Sequence, residues 1–319
     1  MHYDRSMLPV RRTTSLISAA FDLWSSRYAF QHAGALAFYT LFSLAPLTII
    51  VIAIAGAVFG DEAARGEVSA QLAGLIGQQA AEAVQEAVRS SRVKEAGLLP
   101  TLLGVGALLF GATTVFAQMQ SSLNQFWGVV AKPSRSGAVV FLTTRVVSLG
   151  VVLVIGFLLL TSLVMSLGIM ALLRYAESWV PIPPMLVTAV DLALSLASAT
   201  LLFAMIFKIL PDVRLQWRDV WRSAFVTAVL FATGQFLISF YLTQTAPGST
   251  YGAAGSLVLV LMWVYYSSLI LFFGTALTRV AIEQRGDRVV PKATAVRVHI
   301  DILEDDGDGR GMKKVAEVD

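Results

Sequence analysis

The stretch GALAFYTLFSLAPLTIIVIAIAGAVF at residues 34–59 contains no charged residue. A helix rises about 1.5 Å per residue, so about 20 residues cross the hydrocarbon core of a bilayer, which is about 30 Å thick. The stretch therefore predicts a first transmembrane helix at residues 30–59. Pro46 lies near its middle and cannot donate a hydrogen bond to the carbonyl of Phe42, so we expect a kink there.

One face of this helix is polar, because Tyr39, Ser43 and Pro46 are spaced four and three residues apart. Two interpretations stay open. The face packs on neighbouring helices through small and polar groups, or the bent helix lines a polar pathway. In both cases lipid is the solvent against which the rest of the chain must be interpreted.

The composition agrees with a membrane protein. Hydrophobic residues make up 56% of the 319 residues and charged residues only 14%, whereas soluble domains carry about a quarter charged residues. The chain has no cysteine. Disulfides, a thiol nucleophile and a cysteine-based metal site are therefore excluded.

Five further apolar stretches predict transmembrane helices, at about residues 98–119, 139–167, 185–210, 223–242 and 254–281. Residues 61–95 are rich in acidic side chains and place apolar ones at a helical period, which predicts an external amphipathic helix. Two roles stay open for this helix. It is a solvated connector, or it rests on the membrane or covers the mouth of a cavity. The predicted fold is all-α, a polytopic membrane protein with six transmembrane helices and one external helix between the first two.

Basic residues predict the orientation of the six helices. Nineteen of the 24 lysines and arginines fall in the connections on the same side as both termini, which places both termini in the cytoplasm. The predicted domains are an amphipathic arm at 1–28, a membrane domain at 29–284 and a flexible tail at 285–319. In the arm, residues 14–24 predict a short helix whose apolar side chains face lipid headgroups. These side chains are Leu16, Ile17, Phe21 and Trp24.

Polar groups inside the predicted spans are the candidate functional residues, because charges at bilayer depth are costly and face the bundle interior. Asp191 lies about 10 Å into the fourth span, and Arg145 lies near the cytoplasmic end of the third. Each also has a structural interpretation: Asp191 as a hydrogen-bond acceptor in helix packing, Arg145 as a snorkelling side chain. The full candidate pathway is Tyr39, Ser43, Pro46, Gln118, Asn124, Arg145, Asp191, Tyr241 and Trp263.

The pattern of ionisable residues does not favour an enzyme. A nuclease needs clustered carboxylates or histidines around a metal, or a histidine pair. His2, His32 and His299 have no metal-binding spacing, and no GxxxxGK[ST] loop is present. We therefore expect no catalytic site, metal, cofactor or nucleic-acid partner.

Four stretches carry a resemblance to a known family. They are AGALAFYTLFSLAPL at 33–47, AQMQSSLNQFW at 117–127, LPDVRLQWRDVWRSAFVTAVLF at 210–231 and YGAAGSLVLVLMWVYYSSLILFFGTALTRV at 251–280. In these the chain resembles the YihY/BrkB family of bacterial inner-membrane proteins over about residues 14–285. The resemblance implies a six-helix membrane protein without a settled molecular activity. Members carry two labels, a virulence or serum-resistance factor and ribonuclease BN.

Two functions from different classes follow. The first is a transporter of a lipid-like or other amphipathic envelope molecule, which the kinked first span, the polar faces and the basic cytoplasmic loops favour. The second is a non-transporting scaffold or assembly factor of the envelope, which the small number of ionisable groups in the bundle favours. Membrane lipids are the expected partners in both cases, and the sequence does not indicate the oligomeric state.

Overall fold

The computed structural model describes residues 7–59, 82, 85, 98–132, 150, 168, 183–245, 253–298, 300–305 and 312–318. Long helices contain most of them: α1 (Met7–Ser26), α2 (Ala29–Phe59), α3 (Leu98–Phe126), α4 (Pro184–Ile209), α5 (Trp217–Thr245) and α6 (Ala253–Glu283). Short strands follow α3 and α6: β1 (Val129–Ala131), β2 (Ala295–Arg297), β3 (Ile300–Asp305) and β4 (Met312–Val318).

Three helices in this part of the chain are long and apolar enough to cross a membrane. These segments, Met185–Ile209, Trp217–Ile238 and Val260–Glu283, overlap the predicted fourth, fifth and sixth spans. Helices α2 and α3 cover the predicted first and second spans. Apart from single positions, the predicted third span and external helix lie outside the described residues, so the count of six spans stays a prediction.

Helix α6 is the centre of the described bundle. It packs against α1, α2, α3 and α5, while α2 also packs on α3 and α4 on α5. Aromatic side chains fill the space at the α3–α6 contact, where the buried rings of Phe126 and Phe272 stack with centroids 5.1 Å apart. Phe207 is buried in the same cluster from α4.

Two helices begin where the sequence supplies a start signal. Pro184 opens α4, where its missing N–H is no loss because the first amides of a helix have no intrahelical acceptor. In α5 the carboxylate of Asp219 accepts the backbone N–H of Gln216 at 2.9 Å, as an acid in the first turn does in a capping box. Arg285 donates to the other oxygen of the same carboxylate at 3.0 Å, which links the start of α5 to the end of α6.

Small residues allow α5 and α6 to approach closely. A methyl group added at Gly274 would collide with Thr227 Oγ1 and lie 2.7 Å from Phe207 Cζ, and one at Gly234 would overlap the ring of Tyr266. In lipid, close packing of this kind replaces the hydrophobic effect as a force between helices.

The C-terminal end of α3 lies against a buried arginine of α6. Gly128, two residues after the last residue of α3, has φ +66°, the left-handed conformation that commonly terminates helices. Arg279 of α6 is only 5% exposed, and its guanidinium donates to the carbonyl of Phe126 at 2.8 Å and to Glu283 at 2.7 Å. A cation at this position stabilises the negative end of the helix dipole.

The helix in the arm is longer than predicted, and Leu16 and Trp24, which were predicted to face headgroups, pack against the core. Helix α1 covers residues 7–26, and Ile17 and Phe21 are about half exposed, as an outward-facing pair. Trp24 was predicted to face lipid headgroups, and this is wrong. It is buried on α6, where its indole N–H donates to the carbonyl of Leu269 at 3.0 Å, because a buried indole N–H needs an acceptor.

The tail contains strands that the sequence analysis did not predict. Strand β2 pairs antiparallel with β1, with Val130 opposite Val296, and β3 pairs antiparallel with β4. Pro291 forms a bridge with Val213 in the α4–α5 connection. Residues 287–298 therefore lie against the ends of α3 and α4, whereas the division into three domains stays a prediction.

Candidate functional site

The polar face predicted on α2 divides between two environments. Ser43 is buried and donates to the carbonyl of Gly111 in α3. Tyr39 is 37% exposed, with its ring edge-on to that of Phe38. The helix continues through Pro46. Among the residues of this predicted face, Ser43 therefore lies in the contact between α2 and α3.

A second polar contact joins α3 to α2. Gln118 donates to the hydroxyl of Ser122 at 3.3 Å, and Ser122 Oγ lies 3.1 Å from His32 Nδ1. The imidazole packs edge-on against Phe126 and Phe272, with centroids 5.9 and 6.0 Å away. The sequence analysis named Gln118 but gave His32 no role in the pathway.

A third polar contact is at the end of α3. Asn124, a predicted site residue, donates its amide to Asp212 Oδ2 at 2.8 Å and accepts the backbone N–H of Asp212 at 2.8 Å. Asn124 is 9% exposed. The pair joins α3 to the α4–α5 connection, 88 residues later in the chain.

Further groups surround the same carboxylate. Gln120 donates to Asp212 Oδ2 at 3.4 Å, and Thr294 of the tail donates to Oδ1 at 3.5 Å. The backbone N–H of Lys292 donates to the carbonyl of Asp212 at 2.8 Å. We call Gln120, Asn124, Asp212, Lys292 and Thr294 the Asp212 junction. It joins α3, the α4–α5 connection and the tail.

The junction contains an unsatisfied acceptor and a perturbed lysine. Gln120 is 7% exposed, and its Oε1 has no hydrogen-bond partner within the described part of the chain. Burial lowers the pKa of Lys292. The charge of Asp212 opposes this pKa shift, and that of Lys208 adds to it. The charge of Asp212 therefore offsets the effect of burial on this ammonium only in part.

The remaining predicted site residues lie elsewhere. Trp263 is buried and meets Phe231 of α5 edge-on, with ring centroids 5.2 Å apart. Asp191 and Tyr241 lie in α4 and α5, but their side chains are outside what the structure describes. Arg145 lies outside the described residues altogether. The structure therefore brings Gln118 and Asn124 onto one helix end, while Ser43 and Trp263 lie in other helix contacts.

An open groove of about 580 Å³ lies between α1 and α6, away from these contacts. Its lining includes Asp22, Ser26, Glu283 and Gln284. None of the predicted pathway residues lines it.

Sequence reasoning missed most of the Asp212 junction. Asp212 stands in the 210–231 stretch that carries the family resemblance, directly after Pro211, and this was the available signal. No sequence signal indicated Lys292 and Thr294, because they lie in a tail whose composition favours flexibility.

Known proteins similar to this chain are membrane proteins without a named activity. The sequence profile of the family described as "Virulence factor BrkB" matches residues 20–298. A "UPF0761 membrane protein" of Pseudoalteromonas translucida is 26% identical over 77% of this chain and 79% of its own length. One of Psychromonas ingrahamii is 25% identical over 82% of this chain and 86% of its own.

Other relatives are longer than this chain. A "UPF0761 membrane protein" of Pseudomonas paraeruginosa is 26% identical over 77% of this chain, and the match covers 57% of the relative. No solved structure matches. The profile match extends from α1 to the end of β2 and includes the whole Asp212 junction. The chain therefore belongs to the BrkB family of membrane proteins, which is also called the YihY or UPF0761 family.

Proposed function

We propose that this protein of the bacterial inner membrane, with both termini in the cytoplasm, moves a lipid-like or other amphipathic envelope molecule across the bilayer. The observation that carries the proposal is the polarity of α3 within the bundle. On one side of α3, Gln118 donates to Ser122, which contacts His32. On the other side, Gln120 and Asn124 donate to Asp212.

These two sides of α3 face in nearly opposite directions, because two residues turn a helix by about 200°. Ionisable groups are rare within membrane bundles and mark substrate or ion pathways when they occur. A helix with polar side chains on two sides can exchange hydrogen bonds with a lipid headgroup. Apolar side chains such as Phe225 and Phe236 of α5 are exposed, and in the proposed mechanism they face the acyl chains.

The alternative is a non-transporting scaffold of the envelope, and one observation favours it. Buried polar side chains of the bundle are largely engaged with other protein groups, as Ser43 is with Gly111 and Asn124 with Asp212. Contacts of this kind hold helices together without a substrate. The two functions differ in whether lipid moves, so a transport assay separates them.

The decisive experiment uses purified protein in vesicles that carry a fluorescent anionic lipid. We expect protein-dependent movement of the labelled lipid between leaflets, with Arg145→Lys slower than wild type and Arg145→Gln slower still. Only the guanidinium holds a phosphate in a bidentate fork, and glutamine also lacks the charge. Protein levels are matched across all three samples.

The other possible results of this assay each support a different interpretation. Wild-type rates in Arg145→Lys alone indicate that this residue snorkels to headgroups. Equal rates in all three proteins exclude Arg145 from the pathway. No lipid movement across several lipid classes would establish the scaffold in place of the transporter.

The proposal includes no enzymatic activity and no nucleic-acid partner. Among the described residues, His32 contacts Ser122, Gln125 and two aromatic rings, and none of these is a carboxylate or a second histidine. Purified protein with added divalent metal should leave RNA intact. Cleavage that is lost in His32→Ala or Asp191→Asn protein would contradict this.

A further inference from the structure

Two lysines lie at the end of α4. Lys292 from the tail donates its ammonium to the carbonyl of Ile209, the last residue of the helix, at 3.0 Å. Lys208 donates to the carbonyl of Leu215 in the α4–α5 connection. Both acceptors are neutral, and each ammonium has three donors. Each lysine therefore keeps donors that these two bonds do not use.

The local charge is positive. The opposing charge that acts on Lys292 is that of Asp212. The oxygens of this carboxylate already accept hydrogen bonds from Asn124, Gln120 and Thr294. In the part of the chain that the structure describes, neither Lys208 nor Lys292 forms an ion pair. The positive charges of Lys208 and Lys292 are therefore opposed by one negative charge, that of Asp212.

Exposed aromatic rings indicate where this pair lies relative to the membrane. Lys208 Nζ is 5.9 Å from the ring centre of Trp217, and the rings of Trp217 and Trp221 lie 6.5 Å apart. The two indoles are 45% and 43% exposed. One candidate span ends at Ile209 and the next begins at Trp217, and exposed tryptophan at a span end lies at headgroup level.

We propose that Lys208 and Lys292 form a binding site for a phosphate-bearing anion, supplied by an anionic phospholipid headgroup at the level of Trp217. A phosphate offers oxygen acceptors to the unused donors of both lysines and neutralises their surplus charge. The headgroup is held at the membrane interface, beside the Asp212 junction. The inference deepens the proposed function and rests on it only for the step from bound lipid to transported lipid.

The competing explanation is that the lysines only cap α4. Lysine near a helix end hydrogen-bonds the last carbonyls and stabilises the helix without any ligand. Lysine-to-glutamine substitutions separate the two roles, because the glutamine amide still donates a hydrogen bond but has no charge. Lysine-to-arginine substitutions keep both the charge and the donors.

The test is calorimetric titration of the full chain in a neutral detergent. The probes are short-chain phosphatidylglycerol, short-chain phosphatidylcholine and inorganic phosphate. We expect phosphatidylglycerol to bind wild type more tightly than the other two. The K208Q/K292Q double variant should lose about tenfold or more in affinity, since a charged donor makes hydrogen bonds about twice as strong as a neutral amide does. K208R/K292R should bind nearly as well as wild type.

A matched control removes a nearby exposed charge, Arg288→Gln, and should change the affinity less than about twofold, as surface charges do. Equal phosphatidylglycerol affinity in wild type and K208Q/K292Q would overturn the site. Inorganic phosphate bound as tightly as the lipid would overturn the lipid as its source. If the double variant does not remain folded, the single variants carry the same comparison.

The lipid-binding site and the proposed transport can be disproved independently of each other. Normal lipid binding without lipid movement overturns the proposed transport and leaves the site intact. Lipid movement that is unchanged in K208Q/K292Q, together with unchanged binding, overturns the site and leaves transport intact.

Discussion

Asn124 and Asp212 are joined by two hydrogen bonds of 2.8 Å that run in opposite directions, amide to carboxylate and backbone N–H to amide oxygen. Both bonds use the side-chain amide of Asn124, one its N–H group and the other its oxygen. The orientation of this side chain is therefore fixed. The last turn of α3 is thereby tied to the connection that follows α4, which places one of the buried polar sides of α3 beside the two lysines.

The first prediction measures this pair by a double-mutant cycle of Asn124→Ala and Asp212→Ala. Asn124→Ala removes both bonds, whereas Asp212→Ala removes only the amide-to-carboxylate bond because the backbone N–H of residue 212 stays. The cycle therefore measures that side-chain bond, and we expect a coupling energy of about 1 kcal/mol. The measurement is the free energy of unfolding in mixed micelles with increasing denaturing detergent. Strictly additive losses would mean that the pair does not contribute as a unit.

The second prediction concerns the close approach of α5 and α6. Gly274→Ala places a methyl group against Thr227 and Phe207, and overpacking of this kind costs about 1–3 kcal/mol of stability. Gly106→Ala in α3 is the matched control, because nothing lies within 4 Å of its added methyl group. The control should be neutral or stabilising by up to about 1 kcal/mol, the helix propensity difference. Equal unfolding free energies would show that α5 and α6 can separate freely.

Hydropathy predicted the helices best. The spans at Met185–Ile209, Trp217–Ile238 and Val260–Glu283 follow from local composition alone, since in lipid every backbone group must be satisfied within the helix. The orientation of Trp24 could not be predicted in this way. An interfacial and a buried tryptophan have the same local sequence, and only the approach of Leu269, 245 residues later, separates them.

The candidate site was predicted less well for a related reason. Gln118 and Asn124 were found because polar residues within an apolar helix are conspicuous. Asp212, the partner of Asn124, lies in a polar connection, and Lys292, which bonds Asp212, lies in a tail. Charged residues are ordinary in both places. Hydrogen bonds across about 90 residues depend on tertiary packing, which the spacing of residues along the chain does not encode.

The third prediction concerns the buried cap on α3. Arg279→Met removes two hydrogen bonds, to Phe126 and Glu283, and leaves the carbonyl at the helix end without this donor. We expect a loss of about 1.5–3 kcal/mol in unfolding free energy. Arg279→Lys should lose less, because it keeps the charge but not the fork. The control Arg288→Met alters an exposed side chain and should stay within about 0.5 kcal/mol of wild type.

The fourth prediction concerns topology, and the absence of native cysteine makes it simple to test. Gln78→Cys and Ser249→Cys should react with a membrane-impermeant thiol reagent in intact cells, whereas Ser134→Cys should react only after the cells are opened. Labelling of Ser134→Cys alone in intact cells would invert the proposed orientation. These positions lie outside the described residues.

The last prediction follows from the lowered pKa of Lys292, whose ordinary value is 10.5. Folding disfavours the charged ammonium, so at neutral pH the folded state carries a penalty that the unfolded chain does not. As pH rises through the folded-state pKa, the folded protein releases the proton while the unfolded chain keeps it up to about pH 10.5. The unfolded state then binds more protons, so stability rises with pH in this window and levels off above it.

Lys292→Gln has no proton to release and should lack this rise. The measurement is the difference in unfolding free energy between wild type and Lys292→Gln from pH 7 upwards, which cancels the titration of other groups. A phosphate-bearing lipid would hold the ammonium in its charged form, because an opposite charge nearby favours that form. Adding short-chain phosphatidylglycerol should therefore shrink the pH-dependent difference, while phosphatidylcholine should leave it unchanged. A difference that stays flat with pH in the absence of lipid would contradict the burial of the Lys292 ammonium, since a fully solvated lysine titrates alike in the folded and unfolded chain.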